Sequence, residues 1–135
     1  MGNLVIIDTS IFIDHLRTAC HEEWIRSLTG IIRTSAVVLA ELWRGATKAG
    51  EQRFLRALAR NHPILAPTER NWQESGQILG KIYKTHGFTP DKLRDLHFDA
   101  LIALTARSHG ARVITSNRAH YELLRTYRHF ALEVW

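Results

Sequence analysis

Leu4-Val5-Ile6-Ile7-Asp8-Thr9-Ser10 is the stretch on which the fold turns, because four apolar residues run straight into a carboxylate and two hydroxyls. Three of the four are β-branched and no polar residue alternates with them, the pattern of a parallel strand covered on both faces. In open α/β sheets, ligands bind in the crevice outside the carboxyl ends of the strands, so Asp8 reads as a crevice residue in preference to a solvated loop acid.

Working outward, Ile11, Phe12, Ile13 and Leu16, interleaved with Asp14, His15 and Arg17, predict a short helix entered through a hydroxyl cap. The segment from His21 to Leu28 reads as a second helix, with Trp24, Ile25 and Leu28 as its stripe and Gly30 as its stop. Ile31-Ile32 is a very short second strand. Thr34 or Ser35 caps a helix over Ala36 to Gly45 that is apolar almost all round, which predicts burial on most sides. An amphipathic helix follows from Gly50 to Asn61, with Arg53, Arg56 and Arg60 outward. His62 to Leu65 reads as a third strand, which Pro63 confines to a sheet edge or shortens to Ile64 to Ala66. Thr68 begins a helix that Gly87 ends, and Thr89-Pro90 supplies a cap and a first-turn proline for the next, written Lys92 to Ala106. After Gly110, Val113-Ile114 repeats the opening design, a brief apolar strand ending in Thr115-Ser116-Asn117. A helix over Arg118 to Leu124 and a strand over Phe130 to Val134 complete the order. Strands alternating with helices through short connections predict an α/β fold, a parallel sheet with helices on both faces. One domain over residues 1–135 is expected, with no repeat or linker.

The chain carries 18 Lys and Arg against 13 Asp and Glu, a net charge of +5, which favours polyanionic partners. Fourteen of those cations are Arg, whose planar fork suits phosphate, although a GC-rich genome writes the same bias. Arg107, Arg112, Arg118, Arg125 and Arg128 fall near the C-terminal end without aromatic interleaving, a pattern for backbone contact more than base stacking. No apolar run approaches a membrane span and no secretory signal is evident, so a cytoplasmic protein is expected. Cys20 is the only cysteine, so no internal disulfide can form. No Gly-rich phosphate motif is present, so a nucleotide cofactor has no warrant.

Two acids interrupt apolar helices and require a partner. Glu41 sits within Ala-Val-Val-Leu-Ala-Glu-Leu-Trp-Arg-Gly, where an unpaired carboxylate costs several kcal/mol. Pairing with Arg44 or a wet helix edge would satisfy it. Asp99 precedes Ala-Leu-Ile-Ala-Leu-Thr-Ala, where it is either a first-turn cap or a ligand. Were three such carboxylates to converge to about 5 Å, each pair would repel by roughly 3 kcal/mol at an effective dielectric of 20, so the group would need cations or protons. Hard oxygen ligands select Mg²⁺ or Mn²⁺. The histidines form no H-x-x-x-H pair with acid support, so zinc is not expected.

Asp8-Thr9-Ser10, Glu41 in its apolar helix, Asp99-Ala100-Leu101-Ile102-Ala103 and Thr115-Ser116-Asn117 together resemble a PIN domain, specifically the VapC-type toxin ribonuclease of a VapBC toxin–antitoxin pair. The resemblance runs over essentially the whole chain. It implies a three-layer α/β/α sandwich with a short, mostly parallel sheet of four to five strands. It implies a Mg²⁺-dependent endoribonuclease, Mn²⁺ substituting, that acts on RNA. It further implies a homodimer that forms a hetero-oligomer with a cognate VapB-like antitoxin. The metal ligands fall on Asp8, Glu41 and Asp99, the catalytic set adds Asn117, and Thr9, Ser10, Thr115 and Ser116 support it. Arg44, Arg112 and Arg118 are candidate RNA phosphate contacts. Many PIN domains carry a fourth acid where this chain has Asn117 and then His120. The neutral amide lowers the site's charge by one, so one metal is expected to be held firmly and a second weakly.

Two other readings compete. A haloacid-dehalogenase-like phosphatase also places Asp after its first strand but needs another Asp two residues on, where this chain has Ser10. A non-catalytic PIN-like module that binds nucleic acid or a partner is the alternative that Asn117 and His120 favour most.

Overall fold

The computed structural model describes residues 3–28 and 30–135. Strand β1 (Leu4–Ile7) buries Val5, Ile6 and Ile7, as a central strand must. It passes through Asp8 directly into α1 (Thr9–Thr18). The expected hydroxyl cap is not formed. Asp8 holds the cap position without a side-chain cap bond, and Thr9 and Ser10, inside the first turn, send their hydroxyls to Glu41 and Asp8. The short helix α2 (Glu22–Arg26) ends earlier than the apolar stripe suggests, because the Ser27 hydroxyl donates back to the Trp24 carbonyl.

Strand β2 (Ile31–Ser35) is longer than Ile31-Ile32, since Thr34 and Ser35 continue it as buried polar residues. Ser35 then caps α3 (Ala36–Gly45), its Oγ accepting from the N–H groups of Val37 and Val38. The burial of α3 is one-sided. Val37, Val38, Leu39 and Leu42 face inward, while Ala40, Trp43 and Arg44 are exposed, so the apolar sequence overstates enclosure. After α4 (Ala49–Asn61) comes β3 (Ile64–Leu65), an edge strand beside which Pro63 contributes only its carbonyl, accepting from the Thr34 N–H at 3.0 Å.

Helix α5 (Glu69–His86) opens on a reciprocal pair, Thr68 and Asn71 each accepting the other's backbone N–H at 3.0 Å, and ends at Gly87, whose φ of 61° favours a residue without a β-carbon. Helix α6 (Pro90–Ser108) runs unbroken for 19 residues, so Asp99 lies in mid-helix and its reading as a first-turn cap falls. Strand β4 (Arg112–Thr115), α7 (Arg118–Arg125) and β5 (Ala131–Val134) complete the chain.

All five strands are parallel, in the order β3-β2-β1-β4-β5. The chain steps from β1 towards one edge and then returns to build the other. Right-handed crossovers therefore put the helices of the two excursions on opposite faces, giving the three-layer α/β/α sandwich. Helices α1, α3 and α4 pack in sequence, as do α5, α6 and α7. The reversal of direction falls between β1 and β4, whose carboxyl ends deliver Asp8 and Ser116-Asn117 to the same crevice. The Asp8 N–H donating to the Ile114 carbonyl at 2.8 Å fixes the two ends against each other.

Candidate active site

Asp8 is buried, and its carboxylate is surrounded by hydroxyl donors. Ser10 Oγ and Thr115 Oγ1 each donate to Oδ2 at 2.7 Å, and the Tyr121 phenol donates to Oδ1 at 2.8 Å. The donors are themselves held: Ser10 Oγ accepts from the Ser116 N–H at 3.1 Å, and Thr115 Oγ1 from the Asn117 N–H at 2.9 Å. Strand β4 thus supplies the framework for the acid at the end of β1. Burial, then the charges of Asp8 and Asp99, push the Tyr121 phenol well above its ordinary range, so it stays a neutral donor.

Glu41 reaches the crevice from α3, half-buried, with Thr9 Oγ1 donating to its Oε1 at 2.8 Å. Burial raises its pKa from 4.5 to about 7; the Thr9 bond opposes this, Asp99 and Asp8 add to it, and Arg44 counters it. In place of a direct pairing with Arg44, one of the two alternatives the sequence left open, Glu41 has a hydroxyl bond, with Arg44 acting through its charge. Asp99 arrives from α6, buried, with His120 Nδ1 at 2.7 Å from its Oδ2. Burial raises its pKa from 3.8 to about 6; the His120 hydrogen bond pulls it down, Asp8 raises it, the His120 charge lowers it and Asp95 raises it further.

These side chains line an open cleft of about 530 Å³ whose wall includes Asp8, Glu41, Asp95, Asp99, Asn117 and His120. Four carboxylates share that wall with no Lys or Arg among its residues. Carboxylates in such excess over cations suit a hard divalent cation. Each carboxylate oxygen already bound to a hydroxyl retains acceptor capacity for an ion. The acids are set wider than a closed cage: among the described residues they do not form a group whose ligand atoms all fall within 4.8 Å of one another.

Asn117 lines the cleft while capping α7, its Oδ1 accepting from the His120 N–H at a long 3.4 Å. Ser116 supports Ser10 through its N–H, but its hydroxyl turns away to Asp14 Oδ2 at 3.2 Å. The three arginines separate. Arg44, near the end of α3, acts on Glu41, and Arg118 is exposed at the start of α7, bonded to Glu122 at 2.9 Å. Arg112 stands at the opposite end of β4 from Thr115, 3.0 Å from Glu133, and is no part of the cleft wall; its register with Val5 places it away from the carboxyl ends. Asp95 and Tyr121 escape a sequence reading. Asp95 lies one helical turn before Asp99, a spacing that places both acids on one face. Tyr121 passes for an ordinary residue of an apolar stripe.

The PIN domain model matches residues 5–125, and the chain belongs to the PIN domain family, a family of nucleases. Among solved structures, VapBC-1 from nontypeable Haemophilus influenzae superposes with a TM-score of 0.72 at 21% identity over 98% of each chain. VapBC2 from Rickettsia felis, bound to a DNA fragment from its promoter, gives 0.73 at 18% identity over 98% of each chain. DNA-bound VapBC from Salmonella typhimurium gives 0.73 at 20% identity over 100% of this chain and 99% of that one. No curated protein matches the chain. No helix among the described residues is long and apolar enough to cross a membrane.

Proposed function

We propose that the chain is a divalent-cation-dependent endoribonuclease acting as the toxin of a toxin–antitoxin pair. The observation that carries this reading is the cleft at the sheet's point of reversal, where four carboxylates share a wall that holds no Lys or Arg and two of them have raised pKa values. Asp8, Glu41 and Asp99 would hold Mg²⁺, with Mn²⁺ able to replace it. When bound, such an ion supplies charge neutralisation at a phosphate and activates water for in-line attack. The protein supplies positioning. Ser10, Thr115 and Tyr121 fix Asp8, Thr9 fixes Glu41, and His120 fixes Asp99. Arg44 and Arg118, close to the cleft, suit RNA backbone phosphates.

A groove of about 570 Å³ shares Ile13 and Glu41 with the cleft and continues past Leu16, Leu42 and Leu55. It fits an apolar segment of a cognate antitoxin, which would cover Glu41 as it docks. Likeness to the VapBC structures favours such a partner, with a homodimer of this chain in the hetero-oligomer and a cytoplasmic site of action.

The test is sequencing of RNA 5′ ends after incubation with the chain and Mg²⁺. Cleavage should leave 5′-phosphate and 3′-hydroxyl ends, because water attacks in place of the neighbouring 2′-OH. Excess EDTA should abolish it, and Asp8→Asn should cost at least about 100-fold in rate while keeping RNA binding. A 2′,3′-cyclic phosphate product or full activity in EDTA overturns the proposal. The second reading, a non-catalytic RNA- or partner-binding module, is favoured by His120 engaging Asp99 and by the neutral Asn117. It predicts no Mg²⁺-dependent cleavage by the unaltered chain, with binding that Asp8→Asn leaves intact.

A further inference from the structure

A different set of ligands gathers at the far end of α1. The helix stops at Ala19, whose φ of 53° is left-handed. That turn folds the chain back, so that Cys20 and His21 return towards Asp14, on the helix they have just left. His21 Nε2 lies 3.2 Å from Asp14 Oδ2. Ligand atoms of Asp14, Cys20 and His21 all fall within 4.8 Å of one another, the one His/Cys/Asp/Glu group of three or more among the described residues to do so.

Two of the three are oriented before any ion arrives. The His21 side chain is only 12% exposed, and its ring lies 5.7 Å from that of Trp135. Asp14 Oδ2 also accepts from Ser116 Oγ at 3.2 Å. In a tetrahedral zinc site with Zn–N and Zn–O bonds of about 2.0–2.2 Å, the two donors stand roughly 3.3 Å apart. The His21–Asp14 separation already has that value. Cys20 is exposed, so rotation of its side chain can bring the sulfur in. A hydrogen-bonded His–Asp pair alone would need no sulfur; with the thiolate added, the set becomes one sulfur, one nitrogen and one oxygen. Such donors select zinc over the hard cations that suit the acid cleft.

We propose that Asp14, Cys20 and His21 form a zinc site with its fourth position open to solvent. The site is separate from the acid cleft yet connected to it. Ser116 donates its hydroxyl to Asp14 and its N–H to Ser10, which in turn donates to Asp8. Zinc held at Asp14 braces the turn between β4 and α7 against α1, two side chains from Asp8.

The test uses the full chain with affinity tags removed. Zinc is titrated against a chromophoric chelator, and Co²⁺ is added in parallel as a spectroscopic probe. One equivalent of zinc should bind with a Kd of about a micromolar or tighter. Co²⁺ should show thiolate-to-metal absorption in the near ultraviolet. Cys20→Ser, at an exposed position that circular dichroism will show folded, should remove that band, and both it and His21→Ala should weaken zinc at least about 10-fold. Asp8→Asn should leave the tight zinc site unchanged. Zinc binding unaltered by Cys20→Ser and His21→Ala, zinc lost in Asp8→Asn, or no tight equivalent in the unaltered chain would each overturn the proposal.

Discussion

Tyr121, fully buried on α7, donates its phenolic O–H to Asp8 Oδ1 at 2.8 Å, joining the last helix of the fold to the acid at the end of its first strand. The bond spans most of the chain and ends on a carboxylate, so it belongs to the stronger class of hydrogen bonds. Tyr121→Phe keeps the ring and its edge-on contact with Phe130 but removes the donor. The variant should lose about 1.5–3 kcal/mol of stability, the range for a bond to a charged group. The midpoint of urea unfolding should fall with its slope unchanged. An unchanged midpoint would mean that Ser10 and Thr115 alone satisfy Asp8.

The raised acids make a prediction about pH. Glu41 holds its proton to about 7 in the folded chain against an ordinary 4.5, and Asp99 to about 6 against 3.8. Between the ordinary and folded values the native state binds more protons than the unfolded one, so these two acids reduce stability as pH rises from about 4 to about 7. Glu41 is only partly buried, so solvent screening limits its share to about 1–2 kcal/mol. In EDTA, Glu41→Gln should be more stable than the parent at pH 7 and lose that advantage by pH 4. Mg²⁺ should narrow the gap at pH 7 by stabilising the parent. Calorimetric melting temperatures across that range decide it. A gap that widens towards acid would show that Glu41 is stabilised as a carboxylate.

What could be read from the residues was whatever local chemistry decides. Thr68, Gly87 and Thr89-Pro90 announce the ends of α5 and the start of α6, and the unbroken apolar run of β1 announces a central strand. Where tertiary burial decides, the letters mislead. Thr34 and Ser35 are polar yet buried in β2, because the sheet continues beneath them. Asp99 resembles a cap only while the start of its helix is uncertain. The acids were legible as interruptions of apolar helices. Tyr121 was not, because nothing in a stripe of apolar spacing says that its hydroxyl meets a carboxylate 113 residues away. Nor was the approach of Cys20 and His21 to Asp14, which depends on a left-handed turn at Ala19, a residue that rarely adopts one.

The arginines give a prediction that separates position from composition. If RNA lies across the acid cleft, Arg44→Gln and Arg118→Gln should each weaken binding and lower the slope of log affinity against log salt by about 0.7. Arg112→Gln should leave affinity and slope unchanged, because Arg112 stands at the amino end of β4, away from the cleft wall, where it pairs with Glu133. It should instead lower the melting temperature. Binding titrations at three salt concentrations give the slopes. Equal loss from all three would return the arginines to a general basic surface.

Gly30 bears on how the first two strands meet. A β-carbon there would lie 2.3 Å from Val5 Cγ2 and 2.9 Å from the Asn3 carbonyl oxygen, and that same carbonyl accepts the Ile31 N–H at 2.7 Å. Val5 is fully buried and the carbonyl is main chain, so neither neighbour can yield cheaply. Gly30→Ala should therefore cost about 1–3 kcal/mol by overpacking, with β1 and β2 pushed apart at their amino ends. The acid cleft lies at the carboxyl ends of the strands, so the variant should keep the proposed RNA cleavage per folded molecule at low temperature while losing it earlier on heating. Unfolding curves and cleavage rates measured on the same preparation test both halves. If stability were unchanged, the close packing between Gly30 and Val5 would not be what limits this position to glycine.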